Sequence, residues 1–205
     1  MNNYEIRKPV QKRSIEKKEK IIEAGFELIC EKGYYNTNTA EIAKHAGVST
    51  GIVYQYFKDK HDILIEALKK YADNIFYPML NVPIQEFNKQ NFDKIIRKMI
   101  NNFIQNHKLS QSAHEEIMAM AHSDKEVAFY FHKREIEMTQ IIYELLSSNG
   151  FDKVNLMEKS HIAIGLIDNL CHEIVYHKHD VLNYDAMIDI CIDTLTYLFA
   201  KQKAI

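Results

Sequence analysis

The chain has 205 residues, of which 46% are hydrophobic and 26% charged, with 6 glycines and 3 prolines. That size and balance give a globular protein with a sizeable core in one or two domains, and the absence of any run of about eighteen apolar residues excludes a membrane-spanning helix. The formal net charge of −2 argues at first against a nucleic-acid partner, but it hides an asymmetry. Residues 1–70 carry 13 Lys/Arg against 10 Asp/Glu, a balance of +3, whereas residues 71–205 carry 13 against 18, or −5. A basic end joined to an acidic body suggests two separate tasks. The opening stretch "MNNYEIRKPVQKRS" is polar and lacks the apolar run of a secretory signal. Cys30, Cys171 and Cys191 are odd in number and without metal-type spacing, so a reducing, cytoplasmic setting is expected.

Scarce glycine and proline, with abundant Leu, Ile, Glu and Lys, favour helix almost throughout. A first helix is predicted from Ile15 to Lys32, where Ile15, Ile22, Phe26 and Ile29 recur at helical spacing. Gly33 suits the positive-φ position that ends it. A short second helix starts at Thr37 or Asn38, either of which can cap it, and Gly47 stops it. Ser49 is placed to cap a third helix reaching about Phe57, and "KDKHDILIEALKKYADNIF" reads as a fourth ending at Phe76. After a proline-containing connection, further helices are expected over Asp93–His107, Gln111–Ala121, Asp124–Ser148, Met157–Tyr176 and Tyr184–Ala200. The prediction is an all-α chain of about nine helices, without repeats or low-complexity segments.

One stretch stands apart. In "GVSTGIVYQYF", residues 47–57, two glycines lie within five residues and Tyr54, Tyr56 and Phe57 follow at once. A short helix, a tight turn and a second short helix make a helix-turn-helix. Gly47 permits the turn, Val48 plugs its corner and Ser49 offers an acceptor to the next helix. Gly51 lets a DNA backbone or base edge come close. The hydroxyls of Tyr54 and Tyr56 can reach phosphates, although Tyr56 and Phe57 can equally be core. Val53 and Phe57, four apart, face inward. Each of these residues then fits a head that reads the major groove.

The segment "GYYNTNTAEIAKHAGVSTGIVYQYFKDKHDIL" closely resembles the signature of the tetracycline-repressor (TetR) family of bacterial transcriptional regulators, and the match extends over roughly residues 15–65. The resemblance implies an all-helical homodimer, with an N-terminal three-helix DNA-binding domain over residues 1–60 and an effector-binding, dimerising domain over residues 61–205. By position, Thr39, Tyr54, Tyr56 and Lys60 resemble the family's phosphate contacts, with Ser49 beside them. Thr50, Gly51, Ile52 and Gln55 occupy the positions that face base edges. Ile52 departs from the short polar residue common there and offers only apolar contact, for example to a thymine methyl. Gln55 can read adenine or touch a phosphate. Lys60 is a phosphate contact or one more solvated lysine. The basic arm Arg7, Lys8, Lys12 and Arg13 is an electrostatic hold on DNA or a solubilising tail.

In the body, the last two helices carry apolar residues on more than one side, among them Ile162, Leu166, Ile167, Ile174, Ile188, Leu195 and Phe199. Helices covered so broadly are buried on two sides, and a homodimer through these two helices is expected. Aromatic and methionine residues of the middle helices are mostly core, and a subset is expected to line an apolar effector cavity. The candidates are Phe76, Met99, Phe103, His114, Met118, Phe131, Tyr143, Asp168 and His172. The cluster "HEIVYHKHD", residues 172–180, has metal-ligand residue types, but His172 and His177 are five apart and poorly aligned on a helix. No metal is assigned there. No nucleophile–base pattern, phosphate-cradling glycine loop or carboxylate pair stands out, so neither catalysis nor a cofactor is expected. The function read from this is a ligand-responsive regulator, most simply a repressor on palindromic operator DNA, released by a small lipophilic effector. The alternative is a helical small-molecule carrier or protein-binding module whose helix-turn-helix is only structural.

Overall fold

A computed structural model describes residues 11–80, 90–106 and 111–200, with 71–80, 106 and 113 as backbone only. Nine helices lie within the described residues: α1 Lys12–Lys32, α2 Thr39–His45, α3 Thr50–Tyr56, α4 Lys60–Leu80, α5 Phe92–Asn106, α6 Gln111–Ser123, α7 Lys125–Ser148, α8 Leu156–Tyr176 and α9 Tyr184–Phe199. None of them is long and apolar enough to cross a membrane. The fourth helix runs to Leu80 instead of ending at Phe76, so Pro78 falls in its last turn. The chain groups into two compact units, residues 1–73 with 109–128, and residues 74–108 with 129–205. They are called head and body below.

The head is built on α1. Its stripe Ile21, Ile22, Ala24 and Leu28 packs against Ile42 and Ala43 of α2, Val53 and Tyr56 of α3, Phe57, and Ile63 and Ala67 of α4. Ile15, at the start of the predicted stripe, is 45% exposed, because it precedes the turns of α1 that meet this core. At Gly25 a Cβ would stand 2.5 Å from Ile63 Cγ2, so a residue without a side chain is what lets α1 and α4 cross this closely. Ion pairs flank the crossing: Lys18 with Glu66 at 3.0 Å, and Lys70 with Glu19 at 2.7 Å and Glu23 at 2.8 Å. Asn38 is the cap of α2, its Oδ1 accepting from the Ala40 and Glu41 N–H groups. Thr37 is buried and donates to the Gly33 carbonyl at 3.0 Å. Helix α6 also packs on α1, and Glu116 Oε1 accepts from the Tyr34 N–H at 2.6 Å.

In the body, α8 packs on α9, and α5 packs on both. Ile100, Phe103, Leu146, Leu156 and Leu195 are its fully buried large side chains. The break between α7 and α8 uses two positive-φ residues, Gly150 at 75° and Asn155 at 53°, residue types that tolerate that backbone. Asn183 caps α9 by accepting from the Ala186 N–H. The apolar surface of α8 and α9 is only half used. Ile167, Leu170, Ile188 and Leu195 are buried, whereas Ile162 is 58%, Ile190 64% and Tyr197 75% exposed.

Candidate nucleic-acid interface and apolar cavity

Seven residues cannot form a stable helix alone, so tertiary contacts decide how α3 stands. Val53, Tyr56 and Phe57, at positions i, i+3 and i+4, form one buried face on the head's core. The opposite face carries Gly51, Tyr54 and Gln55, all exposed, with Thr50 half-buried beside them. A Cβ at Gly51 would meet no atom closer than Ser49 Oγ at 3.9 Å, so the space above it is open. Gly47 has φ +66°, the left-handed backbone expected of it, and the Val48 N–H donates to the Ala43 carbonyl at 2.9 Å to close the turn.

Thr39 and Tyr54 come together across the motif. Their hydroxyl oxygens are 3.0 Å apart on an exposed edge joining α2 to α3, so one phosphate oxygen could take both O–H groups. Four other candidates stand differently from the sequence reading. Tyr56 is 5% exposed and lies in the core face with Val53, because the three-residue step puts the two on one side of the helix. Ile52 is half-buried and leans on the core together with Val48. Ser49 takes the cap position of α3, but its hydroxyl makes no cap hydrogen bond. The reason is the tight first turn, in which the Ile52 N–H already donates to the Ser49 carbonyl at 2.9 Å. Lys60 Nζ donates to the carbonyls of Tyr34 at 2.6 Å, Thr37 at 2.8 Å and Tyr35 at 3.4 Å. It also lies 4.4 Å from the Tyr34 ring centroid. Its ammonium thus pins the loop between α1 and α2. Of the basic arm, Lys12 and Arg13 are exposed in the first turn of α1; Arg7 and Lys8 lie outside the described residues.

Sequence reasoning passed over the polar ties beneath this surface. His61 Nε2 is 3.0 Å from Asp124 Oδ2, and its Nδ1 is 3.7 Å from Glu126. The Val127 N–H holds the Asp124 carboxyl below its ordinary range, outweighing a small effect of burial, with the Glu126 N–H and His61 adding to it. Only the i, i+2, i+3 spacing of Asp124, Glu126 and Val127 at a helix start could have signalled this cap.

The body encloses a cavity of about 50 Å³ among α5, α7, α8 and α9, lined by apolar side chains and Asp168. Met99 and Asp168, both sequence candidates, line it. Phe103 and His172, one turn further along the same helices, do not; their rings meet edge to face at 5.4 Å. His172 Nδ1 is 3.2 Å from Asp168 Oδ2. His114 and Met118 belong to α6 in the head, the first buried and the second 38% exposed. Phe131 and Tyr143 are half-buried on α7 and outside the lining. The Phe76 side chain lies outside the described residues. Phe92, Ile96, Met138 and Ile142, which the sequence reading did not single out, line the cavity instead; their apolar helical spacing is indistinguishable from that of ordinary core. In the histidine-rich segment, His179 pairs with Glu173 at 3.5 Å, and Glu173 accepts from the Tyr184 hydroxyl. Burial pushes the thiols of Cys171 and Cys191 up, so both are held protonated.

Residues 21–67 match the family model described as "Bacterial regulatory proteins, tetR family". The transcriptional regulator HbdR of Aromatoleum sp. (strain CIB) is 50% identical over 58 residues, 28% of this chain and 25% of that protein. The chain thus matches about a quarter of the length of this curated relative. Over the whole fold, a protein assigned to the TetR family from Mesorhizobium loti MAFF303099 superposes with a TM-score of 0.70 at 18% identity, covering 93% of this chain and 98% of that one. A protein assigned as a transcriptional regulator from Saccharomonospora viridis, in complex with choline, gives 0.65 at 19% identity, covering 88% and 96%. At such identities the structures speak for the fold, while the motif speaks for the lineage. Residues 21–67 thus resemble the DNA-binding segment of TetR-family regulators, and the all-helical fold of the described residues is similar to that of solved proteins assigned to that family.

Proposed function

We propose that this chain is a cytoplasmic, ligand-responsive repressor that binds palindromic operator DNA as a homodimer and is released by a small lipophilic effector. Residues 1–60 carry the DNA contacts, and residues 61–205 bind the effector and dimerise. The observation that carries the reading is the outward face of α3: Gly51, Tyr54 and Gln55 are exposed above a face locked into the core by Val53 and Tyr56. Thr50, Gly51 and Gln55 approach base edges, while the Thr39–Tyr54 hydroxyl pair and the uncapped Ser49 hydroxyl take phosphates. Lys60 serves the same surface by fixing the loop ahead of α2.

The exposed apolar residues Ile162, Ile190 and Tyr197 on α8 and α9 support a dimer through these helices, since such a patch on a monomer is costly to leave in water. Two-fold pairing would then set two α3 helices about 34–36 Å apart to enter successive major grooves. The cavity in the body supports a ligand that selects a conformer with another spacing. Choline bound to a protein of like fold supports a small organic molecule as the kind of ligand.

The test is fluorescence anisotropy with DNA from upstream of the coding sequence. We expect one dimer per site and log Kd rising linearly with log salt. Binding no tighter than to random DNA would leave the carrier or protein-binding reading in its place.

A further inference from the structure

We infer that Glu116 of α6 is a positioning residue for DNA recognition: its carboxylate holds the loop between α1 and α2, and through that loop sets the Thr39 hydroxyl beside Tyr54. The inference rests on the reading above, in which the Thr39–Tyr54 pair takes a phosphate. Glu116 lies far along the chain from the helix-turn-helix and outside the segment that matches the family model, yet it belongs to the head.

The loop partly holds itself. The Gly33 N–H donates to the Ile29 carbonyl and the Thr37 N–H to that of Tyr34. The Thr37 hydroxyl reaches the Gly33 carbonyl, and the Asn36 side-chain amide the Lys32 carbonyl. Ties from more distant parts of the head converge on Tyr34. Glu116 Oε1 accepts from the Tyr34 N–H at 2.6 Å, and Lys60 Nζ donates to the Tyr34 carbonyl at 2.6 Å. An anion and a cation thus grip the two backbone polar groups of one residue, each in a bond about twice as strong as a neutral one. Among the described residues no Lys or Arg pairs with Glu116, so its carboxylate is not drawn away from this N–H. That carboxylate lies over Gly33, where a Cβ would stand 3.3 Å from Oε1 and φ is +85°, a backbone left to glycine. It also adds to the burial that pushes the Cys30 thiol up to about 11. His61 Nε2 and Asp124 Oδ2, 3.0 Å apart, fasten the chain just after α6 to the start of α4.

From this grip the path to the DNA face is short. Lys60 Nζ also donates to the Thr37 carbonyl at 2.8 Å, Asn38 caps α2, and Thr39 opens that helix with its hydroxyl 3.0 Å from Tyr54. A displacement of the loop by about 1 Å takes the two hydroxyls out of hydrogen-bond range. A phosphate then meets them one at a time.

The experiment compares the full-length parent chain with Glu116→Ala and Glu116→Gln, by anisotropy on the upstream DNA and by hydrogen exchange of the Tyr34 amide. Charge alone would tighten binding in both variants, since each removes a negative charge from a protein that faces a polyanion. Positioning gives the opposite sign for alanine: binding about ten-fold weaker, and a Tyr34 amide that exchanges about ten-fold faster. Glutamine keeps an acceptor oxygen at the same reach and should bind within about two-fold of the parent. In a Thr39→Ala background, Glu116→Ala should cost at most about two-fold, because the positioned group is gone. Alanine binding as tightly as the parent, or glutamine binding as weakly as alanine, overturns the inference. So does the full ten-fold loss in the Thr39→Ala background. Should alanine fail to fold by circular dichroism, glutamine decides: parent affinity with a slow Tyr34 amide supports the inference, and any other pairing overturns it. A parent chain that binds this DNA no tighter than random DNA removes the reading on which the inference rests, and the inference with it.

Discussion

The head holds itself by named, directional contacts. Lys60 gathers three carbonyls, Glu116 takes the Tyr34 N–H, Asn38 caps α2, and ion pairs line the α1–α4 crossing. The body has polar ties of its own, Arg97 with Asp189 and Thr196 with Asp93 among them, but apart from Asp168 its cavity is lined by hydrocarbon and aromatic side chains, and Ile162, Ile190 and Tyr197 remain on its surface. Under the proposed function, the contrast matches two demands. A surface that docks on a rigid duplex must hold hydroxyls to within fractions of an ångström, and directional bonds supply that. A compartment that adapts to a lipophilic guest is better made of side chains whose contacts are non-directional and interchangeable. The same contrast fits the comparisons: half of the residues match over a 58-residue segment of a relative, against 18% across the fold of a solved structure.

The contrast can be broken by experiment, and the largest effect is expected in the head's core. Phe57 is 1% exposed, so Phe57→Ala should cost about 3–5 kcal/mol. Operator binding should vanish in an anisotropy titration; affinity equal to the parent chain's would mean that this core does not hold the exposed face of α3. Gly25→Ala puts a methyl group 2.5 Å from the branched Ile63 Cγ2, which has little freedom to yield, and should cost about 1–3 kcal/mol in urea denaturation. Gly47→Ala meets no neighbour within 4 Å but holds φ at +66°, so only backbone strain of about 1 kcal/mol is expected. A cost near zero would show that the turn does not depend on the positive dihedral angle at this position.

Finer changes sharpen the comparison. Tyr54→Phe removes one of two paired hydroxyls without touching the core and should weaken operator binding about five-fold, the worth of one hydrogen bond of about 1 kcal/mol. The thermal midpoint should hold, and anisotropy checks the affinity. The smallest effect concerns acid. Because the Val127 and Glu126 N–H groups and His61 hold Asp124 below its ordinary range, the folded carboxylate is the weaker base. Its contribution is complete above the ordinary carboxylate value, about 4, and is lost as pH falls through the lower folded value. Comparing urea midpoints at pH 6 and pH 3, Asp124→Asn should show a smaller acid loss than the parent chain. An equal loss would assign the acid sensitivity of the head to other carboxylates, Glu66 among them.

Much of this molecule is settled by neighbours in sequence. Helix starts and stops follow from caps and glycines within four residues of each other, so α2, α3, α8 and α9 begin within one or two residues of expectation, and Gly47 takes its turn. What seven residues in sequence do not determine is which way a short helix is turned. Long-range packing rotated Tyr56 into the core and laid Ile52 against it. It drew Lys60 to carbonyls 23 to 26 positions earlier. Likewise Phe92 and Ile96 read as core because a cavity is what four helices leave between them, and no single helix encodes it. Local rules act over hydrogen-bond distances along one chain segment; the orientation of a face and the size of a cavity are properties of several segments at once, and only the folded chain decides them.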